Sequence, residues 1–328
     1  MNTLLLHTEQ PGFLSTLQDG GRHSHRSSGV TTGGAMDPFA ARLANLLVGN
    51  NPEETVLEMT QAAHRFRLAM ATVLALCGGG LQPELDGKVL PFRQAVWAPA
   101  GSVLTCNRPR PGFRLYLAVA GGFAADSFLG SRSTDLQIIR GGYQGRALQK
   151  GDQLHRAHPP TALQEQLAQL LQEGSTLQFP VQGPDYAATT IRATPGPEWT
   201  ELPPAAWDAI RQNTCTIGLQ SNRMGYRLSG LPQAPNMESM ISAPVTPGTL
   251  QLTPAGEGLL LMADGQTVGG YPRVLQAIRA DLPILAQKKP GDAIRWQLVD
   301  VAAAERLYLE REAALSRLQQ TIQRLHAD

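Results

Sequence analysis

The sequence predicts a mainly β protein with a few helices, arranged as two subdomains, and three observations carry that reading. A chain of 328 residues is longer than one hydrophobic core usually serves and can bury two. Glycine (33) and proline (24) are frequent while charged residues make up only 17 %, the composition of many turns and short elements, as in barrels and sandwiches. Apolar residues recur at alternate positions in short runs bounded by Gly, Pro and Asp.

The first element with readable ends is a helix. Asp37 is an N-cap, Pro38 suits the first helical position, and Phe39, Leu43, Leu46 and Leu47 share one face before Gly49-Asn50 supplies a left-handed stop. Ahead of it, Gly20-Gly21 and Gly33-Gly34 frame Asp19, Arg22, His23, His25 and Arg26. Gly33-Gly34 precedes a helix N-terminus, which favours an anion, or else the segment is a compact loop that packs on its own domain.

Residues 54–59 and 65–70 read as strands, and 72–77 as a buried strand stopped by Gly78-Gly79-Gly80. Asp86-Gly87 signals a hairpin, 96–107 holds a turn and a strand, and 114–120 alternates Leu115, Leu117 and Val119. Lys150-Gly151-Asp152 turns into a further strand, an arrangement echoed at Lys289-Pro290-Gly291-Asp292. Residues 1–157 thus form a first subdomain and 158–185 a linker holding a short helix.

The second subdomain, 186–300, opens with a helix from Pro204 through Ile210 and a strand at 215–219. An apolar run over 259–262 stops at Asp264-Gly265, 273–281 reads as helix, and 293–299 alternates Ile294, Trp296 and Leu298. A closing helix occupies the segment 301–328, with a stripe of Leu315, Leu318, Ile322 and Leu325 that packs on its own domain or on a partner.

A net charge of +1, from 28 basic and 27 acidic residues, supports neither nucleic-acid nor membrane binding. Cys77, Cys106 and Cys215 are odd in number and lack C-x-x-C spacing, so they read as small core residues. The only early apolar run is Leu4-Leu5-Leu6, without a cationic flank, which places the protein in the cytoplasm. The seven histidines show no metal-ligand spacing, so no metal is expected. No P-loop and no G-x-S-x-G elbow is present.

Three segments bring chemistry together. Gly130-Ser131-Arg132-Ser133-Thr134-Asp135 offers hydroxyls and a guanidinium for a carboxylate or phosphate, or else a capped turn in which Arg132 pairs with Asp135. Ser221-Asn222-Arg223-Met224-Gly225 repeats that kit. Asp264-Gly265-Gln266-Thr267 through Gly269-Gly270-Tyr271-Pro272 places a carboxylate, an amide and a hydroxyl on a glycine turn. Asp264 is a general base, an orienting partner of Arg223, or part of a structural hairpin.

Four blocks together resemble the allophanate hydrolase subunit 2-like family, also described as biotin-dependent carboxyltransferase-like. They are STLQDGGRHSHRSSGVTTGGAMDPFAARLANLLVGN (15–50), AVAGGFAADSFLGSRSTD (118–135), LQSNRMGYRLSG (219–230) and ADGQTVGGYPRV (263–274). The resemblance implies two cyclophilin-like β-barrel subdomains with a groove between them. It also implies one component of a multi-subunit 5-oxoprolinase that hydrolyses 5-oxo-L-proline to L-glutamate with ATP. Two other chains would take part, one of them a homologous cyclophilin-like chain.

On that reading Asp264, Arg223 and Arg132 are catalytic, and Asp19, Arg22, Ser131, Ser221, Gln266, Thr267, Gly270 and Tyr271 bind the cyclic amide. ATP belongs to the complex, and no Met-Lys-Met biotin attachment site occurs here. Family members also include urea carboxyltransferase domains and antagonists of a histidine-kinase inhibitor, which stay open as alternatives. Asn222, Val268 and Cys77-Gly78-Gly79 depart from the family's usual residues. Replacing Arg223 by alanine is expected to remove activity and leave the melting temperature within a few degrees.

Overall fold

Alternation becomes strand pairing in the first of two units, which comprises residues up to Gly21, Asp37–Gly183 and those from Ala313. The computed structural model describes residues 3–233 and 240–325; the outer ends of the expected subdomains, 1–2 and 326–328, lie outside the described residues. Eleven strands form here: β1 (Leu4–Pro11), β2 (Leu14–Gln18), β3 (Val56–Thr60), β4 (His64–Leu68), β5 (Thr72–Gly78), β6 (Leu81–Leu85), β7 (Lys88–Val89), β8 (Ala95–Ala98), β9 (Val103–Pro109), β10 (Arg114–Val119) and β11 (Gln153–His155). They make a six-stranded sheet, β11-β1-β4-β9-β6-β7, and a five-stranded one, β2-β3-β10-β5-β8. Leu6, Phe66, Leu68 and Leu104 of the first sheet share one core with Leu17, Leu57, Leu74, Leu115 and Leu117 of the second.

In β4 the alternation is plain, with Phe66 and Leu68 inside and Arg65 and Arg67 outside, where both pair with Glu9 at 2.6 and 2.7 Å. β10 is buried throughout, because its outer face is covered by α1 (Pro38–Leu47). Asp37 caps that helix through Ala40 N–H at 2.9 Å, with Pro38 in the first turn as the sequence predicts. Burying Phe39, Leu43, Leu46 and Leu47 contributes about 1.5–3 kcal/mol for each side chain. Beneath the cap, the Tyr116 hydroxyl accepts the Asp37 N–H at 2.8 Å and donates to buried Glu58 at 2.9 Å. Burial, then the charges of Glu58 and Asp37, push the Tyr116 phenol well above its ordinary range.

The expected linker is partly docked structure. α2 (Ala162–Gln172) starts with a capping box of Thr161 and Gln164 and packs on β5 and β8, with Gln164 donating to Asn50 at 2.7 Å. Asn50 therefore does more than stop α1. It holds α2 and also accepts the Gly121 N–H at 3.0 Å.

His64 is sealed inside this unit. Its ring stacks on Phe66, Nδ1 lies 3.1 Å from Ser15 Oγ, and a Cβ on Gly12 would come within 2.2 Å of the ring. Burial lowers its pKa to about 4 from the ordinary 6.5. The unfolded chain therefore binds a proton first as pH falls. This contribution is fully present above about pH 6.5 and is lost toward pH 4, an effect on the order of 3 kcal/mol at full extent. Urea unfolding of wild type and His64→Gln at about pH 7.5 and about pH 4.5 should show a smaller loss on acidification for the variant. Equal losses would show that His64 does not report this titration.

The second unit comprises Arg22–Met36 and Pro184–Glu312. Residues 22–36, assigned from the sequence to the first subdomain, group here. Its strands are β12 (Thr190–Pro195), β13 (Cys215–Ile217), β14 (Gly225–Ser229), β15 (Ala243–Pro244), β16 (Thr249–Leu252), β17 (Gly258–Leu261), β18 (Val268–Gly269), β19 (Arg273–Ala277) and β20 (Ala293–Leu298). Seven close a barrel in the order β12-β19-β16-β17-β14-β13-β20, completed by the parallel pair β12–β20. β15 and β18 form a separate ribbon. Ile191, Leu228, Leu250, Leu260, Leu275, Ile294 and Trp296 fill the interior. The barrel expected from the sequence is thus closed in this unit, while the first unit encloses its core between two sheets.

α3 (Pro204–Gln212) packs on β20, α4 (Leu282–Ala286) follows β19, and α5 (Val301–Arg324) ends the described chain. Residues 273–281, expected as helix, are instead β19 and a short 3-10 turn at Arg279–Asp281. The competing force is tertiary. Arg273 gives its N–H and guanidinium to Glu198 at 2.6–3.0 Å, while Val274, Leu275 and Ala277 enter the barrel. Leu315, Leu318 and Ile322 of α5 are buried within the chain itself. No helix among the described residues is long and apolar enough to cross a membrane.

Candidate functional site

In the first unit, β2 ends by delivering Asp19 to a four-donor cradle. Oδ1 accepts from Gly21 N–H (2.8 Å) and from the Ser131 (2.6 Å) and Ser133 (2.5 Å) hydroxyls, and Oδ2 accepts the Arg132 N–H (2.5 Å). Thr134 bonds to the Leu17 carbonyl through its N–H (2.9 Å) and hydroxyl (3.0 Å). The Leu129-Gly130 turn, with φ of +50° and +79°, lets the loop fold onto the end of β2. Asp19 thus fixes the loop, and its carboxylate is directed at protein donors. Arg132 reaches Glu54 at 3.0 Å rather than Asp135, whose Oδ1 accepts the Gln137 and Ile138 N–H groups.

Sequence reasoning missed Glu54 and His158, and both matter here. Glu54 Oε1 holds Arg132, and Oε2 lies 3.5 Å from His158 Nε2. Glycines bring them together: a Cβ on Gly122 would sit 2.5 Å from Glu54, and one on Gly121 2.3 Å from the His158 carbonyl. The Gly121-Gly122 pair was the available signal, legible as a strand end but not as a seat for side chains distant in sequence. Beside this group lies a cavity of about 330 Å³ lined by Asp126, Arg132, Tyr143, Gln144 and His158, with small side chains such as Ala124 completing it.

In the second unit, Arg223 and Asp264 form a buried bidentate pair, Nε to Oδ2 and Nη2 to Oδ1, both at 2.8 Å, with side-chain exposures of 5 % and 10 %. Arg223 Nη2 also donates to the Gly34 carbonyl at 2.6 Å. Arg22 is 1 % exposed, and its Nη1 would lie 2.7 Å from a Cβ on Gly33. The Gly33 N–H bonds to the Ala263 carbonyl at 3.1 Å. These contacts join the 22–34 segment to the 263–264 turn and bring Arg22, Arg223 and Asp264 together. Of the roles open to Asp264, orienting Arg223 is the one this geometry displays.

The remaining second-unit candidates are spread along turns. Ser221 Oγ accepts the Arg227 N–H (3.1 Å), and Asn222 Oδ1 accepts the Met224 N–H (2.8 Å), so that departure from the family pattern caps its turn. Thr267 is buried, the Gln266 side chain is exposed while its carbonyl accepts from Arg26 at 3.2 Å, and Tyr271 is exposed. Gly270 accepts the Met240 N–H at 2.9 Å through its carbonyl. Burial lowers the Arg26 pKa.

Of the two readings of Gly33-Gly34 the packed loop is the one displayed, since the Gly33 N–H is spent on the Ala263 carbonyl and Asp37 caps α1 with its own charge. The Gly33-Gly34 turn therefore presents no open glycine-rich cradle of the kind that holds a phosphate. Cys77, Cys106 and Cys215 are buried free thiols whose pKa values burial raises, that of Cys215 to about 11.

A family model described as carboxyltransferase domain, subdomain A and B, matches residues 28–298. The chain belongs to this carboxyltransferase-domain family. It is similar to the C subunit of 5-oxoprolinase from Escherichia coli strain K12, 38 % identical over 287 residues that cover 87 % of this chain and 88 % of that protein. To the C subunit of the Haemophilus influenzae 5-oxoprolinase it is 31 % identical, covering 94 % and 96 %. The crystal structure of the K. lactis urea amidolyase has a TM-score of 0.84 at 24 % identity, across 97 % of this chain and 20 % of that one, a likeness of fold.

Proposed function

We propose that this chain is the C subunit of a cytoplasmic 5-oxoprolinase, a complex that opens the lactam ring of 5-oxo-L-proline to L-glutamate at the expense of ATP. The observation that carries the reading is the near end-to-end similarity to two proteins of that name, at 38 % and 31 % identity. The chemistry is consistent with a component that positions and neutralises charge. Arg132, steadied by Glu54, and Arg223, steadied by Asp264, are guanidiniums held in fixed orientations. An unactivated lactam resists hydrolysis, so coupling to phosphoryl transfer is required, and ATP is assigned to a partner chain.

The test is glutamate release from 5-oxo-L-proline with ATP, measured for this chain, for its candidate partner chains, and for the full mixture. Activity in the full mixture alone is the expected result. A complex that assembles yet releases no glutamate would overturn the reading, and urea offered in the same assay would then test the carboxyltransferase relatives' chemistry.

A further inference from the structure

We infer that the cavity of the first unit is a binding site for a small carboxylic acid bearing an N–H donor beside its carboxylate, an α-amino acid or a lactam acid. The choice of L-glutamate and 5-oxo-L-proline as its occupants rests on the proposed function; the class of ligand does not.

The walls come from four backbone segments tied to one another. Asp126 and Gly142 exchange N–H···O bonds at 2.8 and 3.1 Å, Gly142 N–H also reaches the Arg132 carbonyl at 2.9 Å, and Ala157 N–H bonds to the Gly122 carbonyl at 3.1 Å. Gly142 is required there, because a Cβ would fall 1.8 Å from Thr134 Oγ1. The wall residue Tyr143 is itself braced by Arg146, whose guanidinium lies 4.9 Å from the ring centroid and is held by Asp152 at 2.6 and 2.9 Å. Gln144, another wall residue, takes a left-handed conformation with φ of +55°. A non-glycine residue held so is strained, and such positions concentrate at ligand sites.

The lining carries both signs of charge. Arg132 commits Nη1 to Glu54 and presents its remaining donors on a side chain 39 % exposed, a fork that suits a carboxylate. His158 stands on the far side of Glu54. Asp126 is exposed and supplies an acceptor for an ammonium or lactam N–H, and Ala124, Ala125 and Ala157 leave small apolar walls for methylenes. A volume of about 330 Å³ holds a molecule of this size with room for water. A simple dianion such as succinate is disfavoured, since it brings no N–H donor to offset the charge of Asp126.

Calorimetric titration of the isolated full chain tests this with four probes: L-glutamate, 5-oxo-L-proline, succinate and cyclopentanecarboxylate. One of the first two should bind at one site per chain, with the other two at least tenfold weaker. Arg132→Ala and Asp126→Ala should each weaken binding by roughly ten- to a hundredfold, the loss of a charge-assisted hydrogen bond. Arg65→Ala, on the exposed face of β4, should not change it. Asp126→Asn, which keeps the side-chain shape, guards against a folding defect. No binding of either amino acid or lactam, or binding indifferent to both Arg132 and Asp126, overturns the site. Glutamate release by the reconstituted complex without such binding would leave the proposed function standing and remove this site from it. Binding in a chain whose complex is inactive would do the reverse.

Discussion

Replacing Arg223 with alanine is expected to lower the unfolding free energy by about 3 kcal/mol, because it takes a bidentate, buried partner away from the carboxylate of Asp264. The pair is bidentate at 2.8 Å on both arms, and Arg223 is 5 % exposed. The same substitution removes the donor to the Gly34 carbonyl, loosening the tie between the 22–34 segment and the 263–264 turn. For a unit of this size that corresponds to a fall in melting temperature of roughly 10 °C. Reading Arg223 from its loop motif alone leads to the opposite expectation, a silent effect on stability, since a Ser/Arg loop looks like an exposed ligand site. Burial reverses it. Thermal and urea unfolding measure the effect, and a loss under about 1 kcal/mol would show that the pair contributes little. The double variant Arg223→Met with Asp264→Leu, which removes both charges of the pair but leaves buried Arg22 beside them, should recover only part of the stability. Activity measured on that double variant in the complex then separates a structural role from a chemical one.

Much of the fold was legible because its signals are local. Asp37, Pro38 and the apolar face of α1 are read within one segment, and so is the Asp86-Gly87 hairpin, whose φ values of +49° and +78° are those the dipeptide favours. Residues 273–277 misled because their strand state is decided by Glu198, far away in the chain, and by the neighbours of β19 in the barrel. α2 looked like linker because proline and glutamine surround it, yet its capping box and Leu167 dock it. The candidate residues divide in the same way. Asp19, Ser131 and Arg132 were legible as a polar kit, and so were Arg223 and Asp264. That Glu54 steadies the first set depends on Gly122 opening a seat for it, a relation between distant segments that no local pattern carries.

Asp19 should prove the residue on which the first of those sets depends. Asp19→Ala removes four accepting contacts at once, and the hydroxyls of Ser131 and Ser133, both fully buried, lose their acceptor. Hydrogen bonds to a charged group contribute about 1.5–3 kcal/mol each but do not add when they share one carboxylate, so a loss of roughly 3 kcal/mol is expected. Asp19→Asn makes the sharper comparison. Three of the donors converge on Oδ1 and one on Oδ2. The amide oxygen will therefore take the three-donor side and turn its NH₂ against the Arg132 N–H, losing one bond and creating a donor–donor clash. Its cost should be about 1–2 kcal/mol, less than that of alanine. Chemical denaturation of both variants gives these values directly. Equal stability of wild type and Asp19→Ala would mean that the Leu17–Thr134 contacts hold the loop without the carboxylate. If Asp19 instead sets the position of Arg132, binding of a small acid by the chain should fall in the order wild type, asparagine, alanine. The guanidinium is untouched in all three, so such an order can come only from where the loop puts it.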